Sequence, residues 1–312
     1  MAVNSTADWM GELPETVLIK PLVKLAIPGS HDSATSTLDK SGPVAIDQPA
    51  WVRELGAIPV IKDVIYNWSV TQKLSISDQL KSGIRYLDLR VAHLESQGVR
   101  VVHGLYGANV TEVCLEVLEF LDAHKREVVI LDLNHFYGFT TEAHQNLMAT
   151  LVSMFGSKLC PRKSQDGIGN VTLASMRKEG QQLVIFYQPN NCPEAQRPQV
   201  VPELWTKEAI ASPWADADSV EKLLPFLEQK LKQTPRSGVF VTQGILTPRM
   251  EDILKRTTET LEKAMADKTT EALVEWMKAP EFKRELQPLT NVVICDFVEK
   301  FDFVKTVIGM NF

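Results

Sequence analysis

The chain has 312 residues, 44% of them hydrophobic and 23% charged, with a formal net charge of -6 and no run of lysine or arginine. Length and composition suit a folded α/β chain, while the acidic balance excludes a nucleic-acid polyanion as partner and argues against electrostatic adsorption to anionic lipid. No apolar run approaches the roughly 20 residues that span a bilayer, so any membrane contact is expected to be apolar and transient.

The opening stretch, MAVNSTADWMGELPE, has neither the basic nor the apolar region of a secretory leader. The four cysteines, Cys114, Cys160, Cys192 and Cys295, show no metal or redox spacing. Both features predict a cytoplasmic protein with reduced core thiols. The first strand reads LAIPGS and runs straight into His31 and Asp32; a loop-like stretch, 39–68, follows. In IRYLDLRVAH, two-residue alternation puts Tyr86, Asp88 and Arg90 on one face and Leu87 and Leu89 on the other. RVVHG ends at His103. TEVCLEVLEFLDAHKR lines up Val113, Val117, Phe120 and Leu121 as a helix face, with Thr111 expected as N-cap.

EVVILDLNHF sets Asp132 and Asn134 opposite Leu131 and Leu133. The helix EAHQNLMATLVSMFG, the strand QQLVIFYQ and a second long loop, 188–217, come next. SVEKLLPFLEQKLKQ, GVFVTQGIL, TEALVEWMKAPEF and NVVICDFV complete the alternation, the last carrying Asp296 near its end. His124 and His144 are expected on polar helix faces. His93 and His135 have no assignment from pattern alone.

Strands alternating with helices predict a mostly parallel sheet covered on both sides. The strands run from one end of the chain to the other without a linker. The expected fold class is therefore α/β, as a single distorted TIM (β/α)8-type barrel filling residues 1–312, its core at about 8–308. Barrel sites sit at the carboxyl ends of strands, where His31, Asp32, Asp88, Arg90, His103, Asp132, Asn134 and Asp296 collect. Taken singly, each has a structural reading as a cap or an ion-pair partner. Together they suit cleavage of a phosphodiester: histidines can act as base and acid in one turnover, and a guanidinium can stabilise phosphorane charge.

These stretches resemble the phosphatidylinositol-specific phospholipase C X-domain proteins, specifically the small animal members without further modules. The resemblance is carried by DWMGELPE, LAIPGSHDSAT, WSVTQ, QLKSGIRYLDLR, VVHG, EVVILDLNHFYG, SPWADADSVEKLLPFL and ICDFV. It implies a hydrolase that cleaves phosphatidylinositol at a membrane surface to diacylglycerol and inositol (cyclic) phosphate. By motif, His31 corresponds to the general base, His103 to the general acid assisted by Asp32, Arg90 to the phosphate clamp, and Asp296 to the residue orienting His31, with Asp88 in support.

The large multidomain eukaryotic phospholipases carry an acidic calcium ligand at the place of Arg90. The resemblance thus implies no metal or other cofactor, although Asp32, Asp88 and Asp132 offer oxygen atoms to a divalent ion such as calcium. Bacterial members have a basic residue where this chain has Asn134-His135, and an arginine near Tyr187. The head-group site, with Asp88, Asn134, His135, Tyr187 and Trp214 as its expected binding residues, is accordingly less basic, which favours an unphosphorylated head group. Trp214, and the apolar stretch from Gly56 to Trp68, are expected at the barrel mouth, touching substrate or lipid, or else packed in the interior. A catalytically weak phosphoinositide-binding or scaffold protein on the same barrel is the alternative.

Overall fold

The computed structural model describes residues 5–162, 166–234 and 237–312. The first four residues of the opening stretch lie outside the described residues. Strands form where the chain is apolar on both faces. β1 (Ile27–Ser30), β6 (Leu183–Tyr187), β8 (Val239–Gln243) and β9 (Val292–Cys295) are buried along their whole length, as parallel strands covered on both sides must be. With β2 (Tyr86–Leu94), β3 (Gly98–His103), β4 (Leu105–Asn109), β5 (Val129–Tyr137) and β7 (Ile210–Ala211) they make a nine-stranded sheet.

The parallel strands follow one another as β6-β5-β2-β1-β9-β8-β7. Trp205 adds a single parallel bridge beyond β6, its N–H donating to Ile185 O and its carbonyl accepting from Tyr187 N, both at 2.8 Å. Among the described residues no ladder joins Trp205 to β7. The chain is thus the expected α/β barrel of distorted (β/α)8 type, with its irregular seam between β6 and β7.

Two expectations about the chain's path need correction. RVVHG is a strand, but it is no barrel stave: β3 pairs antiparallel with the far end of β2 and with β4, forming a hairpin at the barrel mouth. Stretch 39–68 is only partly loop, since it holds the helices Ala50–Leu55 and Pro59–Ser69. These lie over a small second core of Leu38, Val44, Val52 and Leu105, against which Ile65, Tyr66 and Val70 pack. Stretch 188–217 is irregular apart from β7, the Trp205 bridge and short 3-10 turns.

On the outside, the helix Val110–Ala123 buries Val113, Val117, Phe120 and Leu121, as its pattern predicts. Its cap is Asn109 rather than Thr111: the Asn109 side chain accepts from Thr111 N while Glu112 reaches back to Asn109 N, the reciprocal arrangement that satisfies first-turn donors. His144 is not on a polar face of the helix Thr141–Phe155 but fully buried, bonded to the Tyr187 hydroxyl at 2.7 Å. All four cysteines are buried and unpaired.

The DWMGE turn closes the barrel floor. Trp9 is buried, with Nε1 donating to Gly83 O at 2.9 Å, and Glu127 accepts from Met10 N and Gly11 N at 3.2 and 2.7 Å. Glu127 is held in turn by Arg85, Nη2 to Oε2 at 2.7 Å, with neither side chain reaching solvent.

Candidate active site at the barrel mouth

β1 is short because its last residue hands the chain to the site. Gly29 lies so close to its neighbours that a Cβ there would meet Ile294 and Tyr86 side-chain atoms at 2.8 and 2.9 Å. One residue beyond the strand, His31 N donates to Cys295 O at 3.2 Å. Asp32 then takes a left-handed backbone, φ 40°, uncommon for a residue with a side chain. That conformation is anchored by Asp32 N donating to Asp88 Oδ2 at 3.1 Å and Ser33 N to Asp88 O at 2.8 Å.

The turned carboxylate of Asp32 is the centre of the site. Its Oδ2 stands 3.2 Å from His31 Nε2 and 3.3 Å from His103 Nε2, and its Oδ1 stands 2.9 Å from Arg90 Nε. The far nitrogen of each imidazole is fixed by a different element. His31 Nδ1 meets Asp296 Oδ1 at 2.8 Å beyond the end of β9. His103 Nδ1 donates to Ser69 O at 2.7 Å; a carbonyl can only accept, so this nitrogen carries a proton. The turn after His103 requires glycine, because Gly104 has φ 71° and a Cβ there would lie 2.1 Å from Ser69 Oγ.

Burial alone would push His31 down. Asp32, Asp296 with its hydrogen bond, and Asp88 outweigh it and raise the imidazole to about 9. Burial would raise Asp32, but Arg90, His103 and His31 hold it well below the ordinary carboxylate range. The protonated form of His31 is therefore favoured at pH 7 in the free protein.

Tyr86, Asp88 and Arg90 all line a cleft of about 590 Å³ over this centre, as their alternation predicts. Asn134 and His135 line it together, although consecutive residues of a strand should face opposite ways. The cause is a bulge: Leu89 pairs with Leu133 and Arg90 with His135, so Asn134 is an extra residue in β5. Asn134 Nδ2 donates to Asp88 Oδ1, and its Oδ1 is 2.7 Å from His135 Nδ1.

Asp132 on the cleft floor accepts from Tyr86 Oη and Gln188 Nε2, yet burial and neighbouring Asp88 raise it to about 7. Trp214, 42% exposed at the rim, stacks on His31 with ring centroids 6.2 Å apart. Tyr187 does not join the cleft. Its ring is buried and its hydroxyl is engaged by His144; Gln188, one residue on, reaches the cleft instead. Gln188, Asn190, Asn191, Ser212 and Gln243 supply the remaining polar lining, with Ile294 of β9 as an apolar member. Gln243 ends the strand read in GVFVTQGIL but is not singled out by it, and the other four polar residues lie in the irregular 188–217 stretch, where no strand pattern points to them.

His31, Asp32 and Asp88 hold ligand atoms within 4.8 Å of one another. The polar atoms of this group are already engaged. Arg90 is already paired with Asp32, and both Asp88 oxygens accept N–H groups, so an incoming cation would meet a guanidinium and committed carboxylates.

The family model for the X domain of phosphatidylinositol-specific phospholipase C matches residues 61–188. The chain is 38% identical over 309 residues to mouse PI-PLC X domain-containing protein 2, covering 98% of this chain and 87% of the relative. It is 33% identical over 320 residues to human PI-PLC X domain-containing protein 1, covering 99% and 93%. Among solved structures, a mutant of the phosphatidylinositol-specific phospholipase C from Staphylococcus aureus superposes with a TM-score of 0.68 at 18% identity, covering 99% of this chain and 97% of that one. The Listeria monocytogenes enzyme superposes at 0.62 and 18%, covering 99% of each. These likenesses of fold accompany a sequence relationship that spans nearly the whole chain: it belongs to the PI-PLC X domain-containing protein family.

Proposed function

We propose that this protein cleaves phosphatidylinositol without calcium, and the observation that carries the reading is the single Asp32 carboxylate shared by two imidazoles and a guanidinium. His31, its Nδ1 taken by Asp296, presents Nε2 to the inositol 2-hydroxyl and accepts its proton as oxygen attacks phosphorus. The phosphorus–oxygen bond to diacylglycerol breaks, and His103 Nε2 returns a proton to the leaving oxygen. Arg90 stabilises the charge that develops on the phosphoryl oxygens. The product is a cyclic inositol phosphate, which water opens with the two histidines exchanging roles.

The cleft lining supports an unphosphorylated head group. Arg90 is the cation there, amid Asp88, Asp132 and a set of carboxamides suited to hydroxyls. A phosphate on the ring would face two carboxylates without a partner. Membrane contact is supported by Trp51, Leu55, Ile58 and Val60, all exposed on or between the two helices beside the mouth. Trp68 takes no part in it, being 6% exposed and packed in the main core. Among the described residues no helix is long and apolar enough to cross a membrane. Buried, unpaired cysteines favour the reducing cytoplasm.

The test is purified protein with phosphatidylinositol in mixed micelles and excess chelator, the water-soluble products followed by phosphorus NMR. Cyclic inositol phosphate appearing before the open phosphate is the expected result. Binding without turnover would replace this reading with that of a scaffold, and turnover only with added calcium would remove the guanidinium's role.

A further inference from the structure

Gln72 sits between the helices Pro59–Ser69 and Ile76–Ser82, fully buried and off the cleft lining. Its Nε2 donates to His31 O and to Cys295 O, each at 3.0 Å, and its Oε1 accepts from Val298 N at 3.3 Å. One carboxamide therefore grips the chain at His31 and on both sides of Asp296. Neighbouring Thr71 adds to the grip: Oγ1 is 3.1 Å from His31 O and 3.2 Å from Asp32 O, and its carbonyl accepts from Phe297 N at 2.8 Å.

The β1–β9 ladder stops at Ser30 and Cys295, one residue short of the two side chains that must meet. We propose that Gln72 is a positioning residue, holding the ends of β1 and β9 at the separation where His31 Nδ1 reaches Asp296 Oδ1. Its two Nε2 bonds are duplicates where satisfaction is concerned, whereas Val298 N has Gln72 Oε1 as its acceptor. Cys295 O also accepts from His31 N, and His31 O is also within reach of Thr71 Oγ1. A second donor on each carbonyl adds geometry, not a missing partner. The inference rests on the reading of His31 as base, yet its primary readout needs no turnover.

That readout is the titration of the His31 ring followed by NMR in the intact protein. Asp32, Asp88, Asp296, Arg90, His103 and His135 are the charged or titratable groups that act on His31. Gln72→Met changes none of them, so a moved midpoint reports geometry. The midpoint should fall by about one pH unit toward the ordinary histidine value as Asp296 loosens. On phosphatidylinositol, kcat should fall roughly 10- to 100-fold with KM changed less than about twofold.

Val293→Ala, a cavity on β9 facing away from the cleft, should lower Tm and leave the His31 midpoint unmoved. A folded Gln72→Met protein with an unchanged midpoint would overturn the proposal, as would Val293→Ala moving it equally. Gln72→Asn, one methylene too short to reach both carbonyls, carries the same expectation and the same refutation should the methionine variant not fold. Were the parent inactive on the lipid, the titration would still decide.

Discussion

At the residue scale, one carboxylate in a left-handed turn meets both imidazoles and the guanidinium. Arg90→Lys keeps the charge but not the planar two-point contact, so kcat/KM on phosphatidylinositol should drop by about 10²- to 10³-fold. Rates near the parent's would make Arg90 a structural partner of Asp32. The pH profile tests the electrostatics. A base works when neutral, so kcat/KM should fall as pH drops through the His31 value, raised to about 9. Asp296→Asn removes a negative charge that favours the imidazolium, so the acid limb should move to lower pH with a reduced plateau. A limb that stayed in place would assign it to another group, Asp132 near 7 being the obvious one.

Tyr86, Asp88 and Arg90 are legible from alternation because β2 is regular there. His135 is not, because one bulge turns it onto a face its position in the alternation denies it. Gln72 closes the WSVTQ stretch that carries the resemblance, but no pattern assigns it a role, since the carbonyls it reaches are distant in the chain.

At the element scale, the helix Pro59–Ser69 joins an exposed apolar face to the site. Its exposed side carries Val60, 71% accessible, its inner side packs on β4 through Ile65 and Tyr66, and its last residue offers the carbonyl that holds His103. In the sequence this stretch reads as loop although Ile61, Val64, Ile65 and Trp68 recur at helical spacing, a stripe that the Gly56 and Pro59 breaks on its N-terminal side obscure. No pattern singles out Trp51, 54% exposed on the preceding helix. Trp51→Ala with Val60→Ser should reduce activity on liposomes at least about fivefold more than on a soluble inositol phosphodiester, since their contribution is apolar contact with lipid. Equal loss on both would make the face a packing surface. Trp214→Ala should lower both rates, because its ring stacks on His31.

At the scale of the whole molecule, the barrel is plugged at the floor and carries the candidate site at the mouth. The strands and most outer helices can be read from periodicity, as can the parallel order implied by their alternation. The seam at Trp205 cannot, because a one-residue bridge leaves no pattern. The floor depends on the Arg85–Glu127 pair, which also ties down the DWMGE turn. Glu127→Ala leaves a buried guanidinium without its partner and should cost about 3–5 kcal/mol in urea unfolding. The His31 titration, at the opposite end of the barrel, should stay where it is. A cost below about 1 kcal/mol would show that the plug is dispensable.

The division of labour around Asp32 is tested most directly by kcat/KM for His31→Ala and His103→Ala on two substrates: phosphatidylinositol and an inositol phosphodiester with a nitrophenol leaving group. The lipid alkoxide needs a proton to leave and nitrophenolate does not, whereas both reactions need the 2-hydroxyl deprotonated. Both variants should be nearly inactive on the lipid, with His103→Ala recovering substantially on the nitrophenyl substrate and His31→Ala remaining inactive. Rescue of His31→Ala instead would reverse the two roles, and rescue of neither would contradict an acid–base division between these histidines.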